Sequence, residues 1–309
     1  MISRRNIRVK VMQVLYAAET AEESLRSGEY AKQLQKHFDL TRQLLVYFVH
    51  FITEVARYAE ADARNRAAKH LPSTADLNVN TKLAGNEMLW KILESPAWKQ
   101  VIKEDKPQHI DDSELVRKIY LELAEKDIYK RYIAVAGRER KDEKEILNFI
   151  FSELLLPSES FTSHVEEYFT NWNDDADMVV LLLTNFLTKG SPFNFQEIIS
   201  KEKKDFGFLL LETAVDRKEI TMDLIKPKLK NWDSERIAVL DMILMRMGVC
   251  EFLYFETIPP KVTINEYIDL AKVYSTPQSG QFVNGILDNI HKDLVREDKM
   301  HKVDFKTKG

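Results

Sequence analysis

Ile258-Pro-Pro-Lys-Val262-Thr-Ile264-Asn265-Glu266, continuing through Ala271-Lys272 to Gln281-Phe282-Val283-Asn284-Gly285-Ile-Leu-Asp288, is the stretch whose reading decides the fold. Pro259-Pro260 fixes an extended approach, because a proline disfavours the helical region for the residue before it. Thr263-Ile-Asn-Glu266 has capping-box spacing. The threonine hydroxyl can accept from the Glu266 amide while the carboxylate reaches back to Thr263. A helix is therefore expected over about 264–273, and Ser279 can cap a last one over about 278–295. Asn284 and Gly285 are poor residues for a helix interior. The glycine could let two helices approach closely, and the asparagine could satisfy a buried backbone group.

At the other end of the chain, the first 18 residues carry Arg4, Arg5, Arg8 and Lys10 and no Asp or Glu. Ile7, Val11, Val14 and Leu15 recur at i, i+4, i+7 and i+8, which predicts a helix from about Ser3 with one apolar stripe. Cations at a helix N-terminus oppose the macrodipole, where a carboxylate is normally favoured by ~0.3–1 kcal/mol. Something outside the helix should offset that placement. An RNA backbone would do so, since arginine forks match phosphate oxygens and a helix N-terminus attracts anions. The alternatives are a solvated helix end or an arginine-rich targeting peptide. A targeting peptide is usually richer in serine, and this one passes straight into Glu19, Glu22 and Glu23.

The 309 residues suffice for one large or two ordinary domains, and 44% hydrophobic content supports a substantial core. A formal net charge of −4 excludes a chain that coats nucleic acid everywhere, so any such site is a local patch. A single cysteine, Cys250, excludes an intrachain disulfide and a cysteine-based zinc site; within its apolar pattern it reads as a small core residue. No apolar run reaches the ~18 residues of a membrane span. The longest, Met178 to Leu187, is interrupted by Thr184 and Asn185, and with no secretory signal a cytoplasmic protein is expected. Only 9 Gly and 9 Pro punctuate the chain, alternating patterns are scarce and 3.6-residue periods are common, so the fold class is all-α.

Helices are expected at about 3–23, 30–38, 40–69, 83–94, 96–103, 112–125, 126–137, 141–155, 160–169, 174–187, 195–217, 219–229, 233–255, 264–273 and 278–295. The polar stretch 71–80 reads as a loop, and Gly190-Ser-Pro-Phe-Asn as a breaker. Asp174 and Asp233 can cap the helices that follow Trp172 and Trp232. Those tryptophans anchor a weak echo at a 60-residue offset, which a partial duplication or chance explains about equally. The tail 296–309 is expected to fray.

Several phrases resemble the NusB family of bacterial antitermination factors. The family opens on an arginine-rich run into Ala-Leu-Gln-Ala-Leu-Tyr, seen here as Arg4-Arg5-Asn6-Ile7-Arg8 and Met12-Gln13-Val14-Leu15-Tyr16. Its central helix resembles Trp232-Asp-Ser-Glu-Arg236-Ile237 and Ile243-Leu-Met-Arg246-Met-Gly-Val-Cys250-Glu251-Phe252. Its Ile-Pro-x-x-Val-x-Ile-Asn-Glu phrase and the Phe-Val-Asn-Gly helix are the opening stretch above. The chain departs from the family in carrying Cys250 where a tyrosine is usual, and Ser275-Thr-Pro-Gln278-Ser-Gly280 where the loop is often acidic. The match covers about 200–295 and 4–18, so the expected organisation is a NusB-like bundle from 1–25 and 201–295, a helical insertion over 26–200, and the tail.

The resemblance implies an RNA-binding antitermination factor that binds the boxA element of nascent ribosomal-RNA transcripts together with the ribosomal protein NusE, within the RNA polymerase antitermination complex. It implies RNA contacts from Arg4, Arg5, Arg8, Gln278, Phe282 and Asn284, and a NusE-facing surface at Tyr16, Asp241 and Glu251. Each has a plainer reading beside it: Phe282 as a core residue, Asp241 as a solvated acid, Glu251 as a helix salt bridge. The chain shows no glycine-rich phosphate loop, no His-Glu-x-x-His pair and no nucleophile elbow, and its seven histidines are scattered, so no catalysis, metal or cofactor is expected. The alternatives are a helical protein-binding scaffold in transcription or ribosome assembly and, ranked below it, an RNA-binding module related to ribosomal-RNA cytosine methyltransferases.

Overall fold

The structure, a computed structural model, describes residues 2–21, 28–189, 194–195, 197–229 and 237–303. Every regular element among them is helical: α1 (Arg4–Thr20), α2 (Glu29–Ala67), α3 (Thr74–Leu77), α4 (Glu87–Glu94), α5 (Pro96–Asp105), α6 (Ser113–Glu125), α7 (Asp127–Ala134), α8 (Arg140–Phe149), α9 (Glu159–Tyr168), α10 (Trp172–Lys189), α11 (Lys201–Asp216), α12 (Lys218–Ile225), α13 (Val239–Tyr254), α14 (Pro260–Tyr274) and α15 (Ser279–Arg296). The all-α expectation holds. The chain divides into two compact units, residues 39–198 and residues 2–38 with 199–309, so α2 gives its start to one and the rest to the other.

The unit of 39–198 is built around aromatic rings. Phe48 packs against Phe151, Phe161 and Trp172 with centroids 5.9, 5.3 and 5.4 Å away. One of its buried acids is Glu143, which accepts from the Tyr132 hydroxyl at 2.7 Å, the Glu87 amide at 2.7 Å and Arg138 Nη1 at 3.1 Å. Nearby, Asn86 caps α4 through the amides of Met88 and Leu89.

The unit of 2–38 and 199–309 is organised by α13. Every side chain from Ile243 to Phe252 is buried, as expected of a helix apolar on all sides. The helices α1, α11, α14 and α15 pack around it. Two glycines set the approach distances. A Cβ on Gly207 would lie 2.8 Å from Ile7 Cγ2, and one on Gly248 would lie 2.9 Å from Leu287 Cδ2. Cys250 is a core residue, as read from the sequence, and burial pushes its thiol up to about 12.

Several expected boundaries move for identifiable reasons. The break placed between 38 and 40 is absent, because α2 runs unbroken through Asp39. Neither Pro nor Gly interrupts that run, and the few tenths of a kcal/mol that separate Asp from better helix formers do not end a helix packed along its length. The stretch 71–80 contains α3, started by a capping box of Ser73 with Asp76. The 141–155 helix changes geometry partway, since Ile150–Leu155 is a π-helix.

The Thr263–Glu266 capping box does not form: α14 starts at Pro260 with Pro259 as its cap residue. Proline is pre-set for the first helical position, so the helix begins four residues earlier than the polar signal suggested. Thr263 is thereby buried inside it, and Glu266 is turned to other partners. Ser279 is likewise the first residue of α15 rather than its cap. Its hydroxyl donates to Asp241 at 2.7 Å.

The tail does not fray at Arg296. Lys302 Nζ donates to the Glu251 and Phe255 carbonyls at 2.7 Å each, and the Val303 amide to the Glu256 carbonyl. The Glu251 carbonyl lies in the last turn of α13 and those of Phe255 and Glu256 just beyond it, so these bonds tie the tail to the end of that helix. Trp232, Arg236, Asp233 as a cap, the breaker at 190–193 and the far tail lie outside the described residues.

Gly285 contradicts the close-packing reading given to it, since a Cβ there would meet nothing within 4 Å. Asn284 beside it is exposed, so it serves no buried backbone group. Gly285→Ala should therefore stabilise the fold by about 0.5–1 kcal/mol, the usual gain for alanine in a helix interior. Gly248→Ala should destabilise it by about 1–3 kcal/mol through overpacking against Leu287. Urea unfolding of the two variants measures both, and equal effects would show that the helix approach is not set at Gly248.

Candidate nucleic-acid interface

The basic start of α1 is seated by a buried ion pair. Ser3 caps the helix by accepting from the Asn6 amide at 3.2 Å. One turn on, Arg8 points inward, its side chain 3% exposed, and meets fully buried Glu251 of α13. The contact is bidentate, with Nε to Oε1 at 2.7 Å and Nη2 to Oε2 at 3.0 Å. The Tyr267 hydroxyl at 2.8 Å and the Thr263 hydroxyl at 3.0 Å also donate to that carboxylate. The guanidinium lies 5.4 Å from the Phe206 ring centroid and 5.9 Å from that of Tyr267. Burial works against the Arg8 charge, but the Glu251 hydrogen bonds and charge outweigh it and raise its pKa. Burial, with Glu251 beside it, holds Tyr267 far above the ordinary phenol range.

A second pair holds the other end of α1. Glu19 accepts from buried Arg246 of α13 and from Lys218 of α12 at 2.9 Å. Arg246 also donates to the Ala214 carbonyl at 2.7 Å. The start of α1 is thus fixed on the unit as a rigid element.

Arg4 and Arg5 remain on its outer side, 37% and 47% exposed. They line a cleft of about 450 Å³ with Ser3, Arg8, Ile258, Pro259 and Glu266. Arg4 reaches Glu202 at 2.7 Å and lies over Phe206. Arg5 reaches Glu266 at 3.2 Å and Asp269 at 2.6 Å, and its pKa is raised, first by the Glu266 hydrogen bond. The cleft therefore offers solvent-reachable guanidinium forks over an apolar wall, a combination suited to a phosphate and the sugar or base beside it.

The structure sorts the nine residues singled out from the sequence. Arg4, Arg5 and Arg8 share one cleft, but Arg8 has its fork filled by Glu251 and is not free to grip a phosphate. Glu251 itself is 0% exposed, so it presents no surface to a partner. The physical reason is shared: each is the other's counter-charge, and a buried ion requires one. Gln278 and Asn284 are exposed on or beside α15, outside the lining of that cleft. Phe282 is 8% exposed and packs into the unit. Tyr16 is 45% exposed; Asp241 is 5% exposed and held by Ser279, so it is not the solvated acid of the plainer reading.

Sequence reading missed Glu266 and Asp269 as partners of the arginines. Their signal was present as two acids three apart on one helix, hence on one face, but the capping-box reading had assigned Glu266 elsewhere.

Removing one partner of a buried pair strands the other. Glu251→Ala should cost about 3–5 kcal/mol in chemical denaturation, and Arg8→Met a similar amount, while the double variant should cost less than the two summed. Additive losses would contradict a direct coupling. Lys302 supplies a pH test, because burial lowers its amine from 10.5 to about 8. Between those values the unfolded chain holds a proton that the folded chain has released, so this group makes stability rise with pH across that window. The rise should be missing from Lys302→Met when unfolding midpoints of the two proteins are compared from pH 7.5 to 10.5.

Comparison with known proteins places this architecture. The NusB family profile matches residues 169–292, beginning ahead of the expected 201 and taking in α10. The chain is similar to the transcription antitermination protein NusB of Salinibacter ruber, 41% identical over 99 residues, which are 32% of this chain and 62% of that protein. It is 39% identical to the NusB of Chloroherpeton thalassium over 32% of this chain and 47% of that one. It is 41% identical to the NusB of Methylacidiphilum infernorum over 34% of this chain and 73% of that one. The first two relatives are thus spanned over less than two thirds of their length. A crystal form of T. maritima NusB aligns at 31% identity over 38% of this chain and 87% of that one, with a TM-score of 0.31. On the identity and coverage of the Methylacidiphilum relative, the chain belongs to the NusB family.

Proposed function

We propose that this protein is a non-catalytic RNA-binding adaptor for transcription antitermination, one that binds boxA-type RNA together with NusE in the RNA polymerase antitermination complex. The arginine-lined cleft at the start of α1, in a chain of this family, is the observation that carries the reading. Arg4 and Arg5 are the phosphate contacts, and phosphate contacts position the RNA without specifying its sequence. Arg8 acts one step removed, by holding α1 on Glu251. Gln278 and Asn284 supply polar groups for bases, with the edge of Phe282 between them. Exposed Tyr16 belongs to the NusE-facing surface, and Asp241 supports that surface through Ser279. No cofactor enters this activity. Work on nascent transcripts places the protein in the cytoplasm, and no described helix is long and apolar enough to cross a membrane.

A second reading concerns the unit of 39–198. It has its own core, lies mostly ahead of the family match, and exposes Leu71, Leu77 and Trp90. These features favour a protein-binding scaffold role in transcription or ribosome assembly, alongside the RNA role.

Fluorescence anisotropy tests the first reading. The full chain should prefer a boxA RNA over a scrambled one, and NusE should strengthen the preference. Arg4→Ala/Arg5→Ala should weaken binding of both RNAs while thermal unfolding stays near that of the parent. With two phosphates neutralised, the logarithmic salt slope should be about −1.4, from about −0.7 for each single-strand phosphate. Equal, feeble binding of both RNAs in the presence of NusE would overturn the reading.

A further inference from the structure

Neither exposed arginine of the cleft is idle. Arg5 is the more open of the two, yet its fork is closed by two carboxylates of α14, with Nε and Nη2 on Glu266 at 3.2 and 3.3 Å and Nη2 on Asp269 at 2.6 Å. Glu266 also takes Arg8 Nη1 at 3.3 Å and so bridges two of the three arginines. Arg4 is held by Glu202 of α11. A phosphate entering this cleft therefore meets cations that already carry a carboxylate partner. To take the bonded N–H groups it exchanges with that carboxylate, which is then left beside a polyanion.

We infer that Glu266 and Asp269, with Glu202 in support, are specificity-determining residues of the RNA site: they act as internal competitors that weaken capture of RNA through its backbone alone. This rests on the RNA-binding reading above. The three carboxylates are 21%, 43% and 75% exposed, so water receives them readily once they are displaced. Exposed pairs of this kind are weak, which makes the exchange feasible. They nevertheless reduce what each phosphate contact contributes. An RNA that offers only phosphates loses most of its advantage, whereas one that also satisfies base-reading groups keeps the surplus. Discrimination then comes from a repulsive element as well as an attractive one. The buried Arg8–Glu251 pair stays intact throughout, so the competition alters binding without unseating α1.

The test compares the full chain with Glu266→Gln/Asp269→Asn, with Asp269→Asn alone and with Arg4→Ala/Arg5→Ala, each titrated with boxA and scrambled RNA at one moderate salt concentration. Asp269 contacts only Arg5 among the side-chain pairs described, so its variant provides a readout should the double variant fold poorly. Scrambled RNA should bind the double variant about five- to tenfold more tightly and the single variant about two- to fivefold more tightly. The boxA RNA should gain by a smaller factor, so that the ratio of the two affinities narrows. Unchanged or weaker binding of scrambled RNA by both carboxylate variants, or an unchanged ratio, would overturn the inference while leaving the RNA reading in place. Absence of RNA binding by the parent and every variant would instead refute the RNA reading, and the competitor role with it.

Discussion

The pairing of Arg8 with Glu251 is the interaction on which the rest of this unit depends. It joins two helices 243 positions apart in the chain. Buried ion pairs seldom add net stability over an apolar replacement of the same shape, but they make the correct arrangement far better than any in which one charge is stranded. Here the Glu251 carboxylate is saturated by Arg8, Thr263 and Tyr267 from two helices, while Lys302 meets the carbonyl of the same residue. One residue thus fixes the rotation of α1 and the register of α14 through its carboxylate, and the docking of the tail through its carbonyl.

That arrangement explains how arginines come to stand at a helix N-terminus, where they are electrostatically misplaced. The cost is met inside the molecule for Arg8 and on its surface for Arg4 and Arg5. The structure supplies the compensating charge first from Glu202, Glu251, Glu266 and Asp269, and an RNA comes second, as a competitor for the exposed pairs.

Much of the architecture was legible from local signals. The apolar period of α1, the scarcity of Gly and Pro, and the apolar setting of Cys250 each read correctly, because each reflects burial that the residues themselves demand. What failed depended on partners distant in sequence. Thr263 and Glu266 matched a capping box, but Pro260 started the helix earlier and left both to interact across the fold. Gly285 looked like a packing glycine and faces open space, while Gly207 and Gly248, which do set packing distances, carried no local mark. Arg8 could not be told from Arg4 and Arg5 by charge. It was grouped with them as an RNA contact, although it lies next to Ile7 of the apolar stripe. The residues on and beside α15 were named through family resemblance, and burial then separated Phe282 from exposed Gln278 and Asn284.

The division of the chain has a consequence for the order of folding. α1 is made some two hundred residues ahead of the helices that cover its apolar face, α11 and α13, and of the carboxylate that neutralises Arg8. Loops of that length close slowly, and contacts so distant in sequence slow folding. The unit of 39–198 has its own core and can condense first, while Ile7, Val11 and Leu15 wait uncovered. A nascent chain therefore carries an amphipathic basic segment whose partners are not yet made, a stage at which misassociation would act. The segment proposed to grip RNA is made well before the residues that seat it.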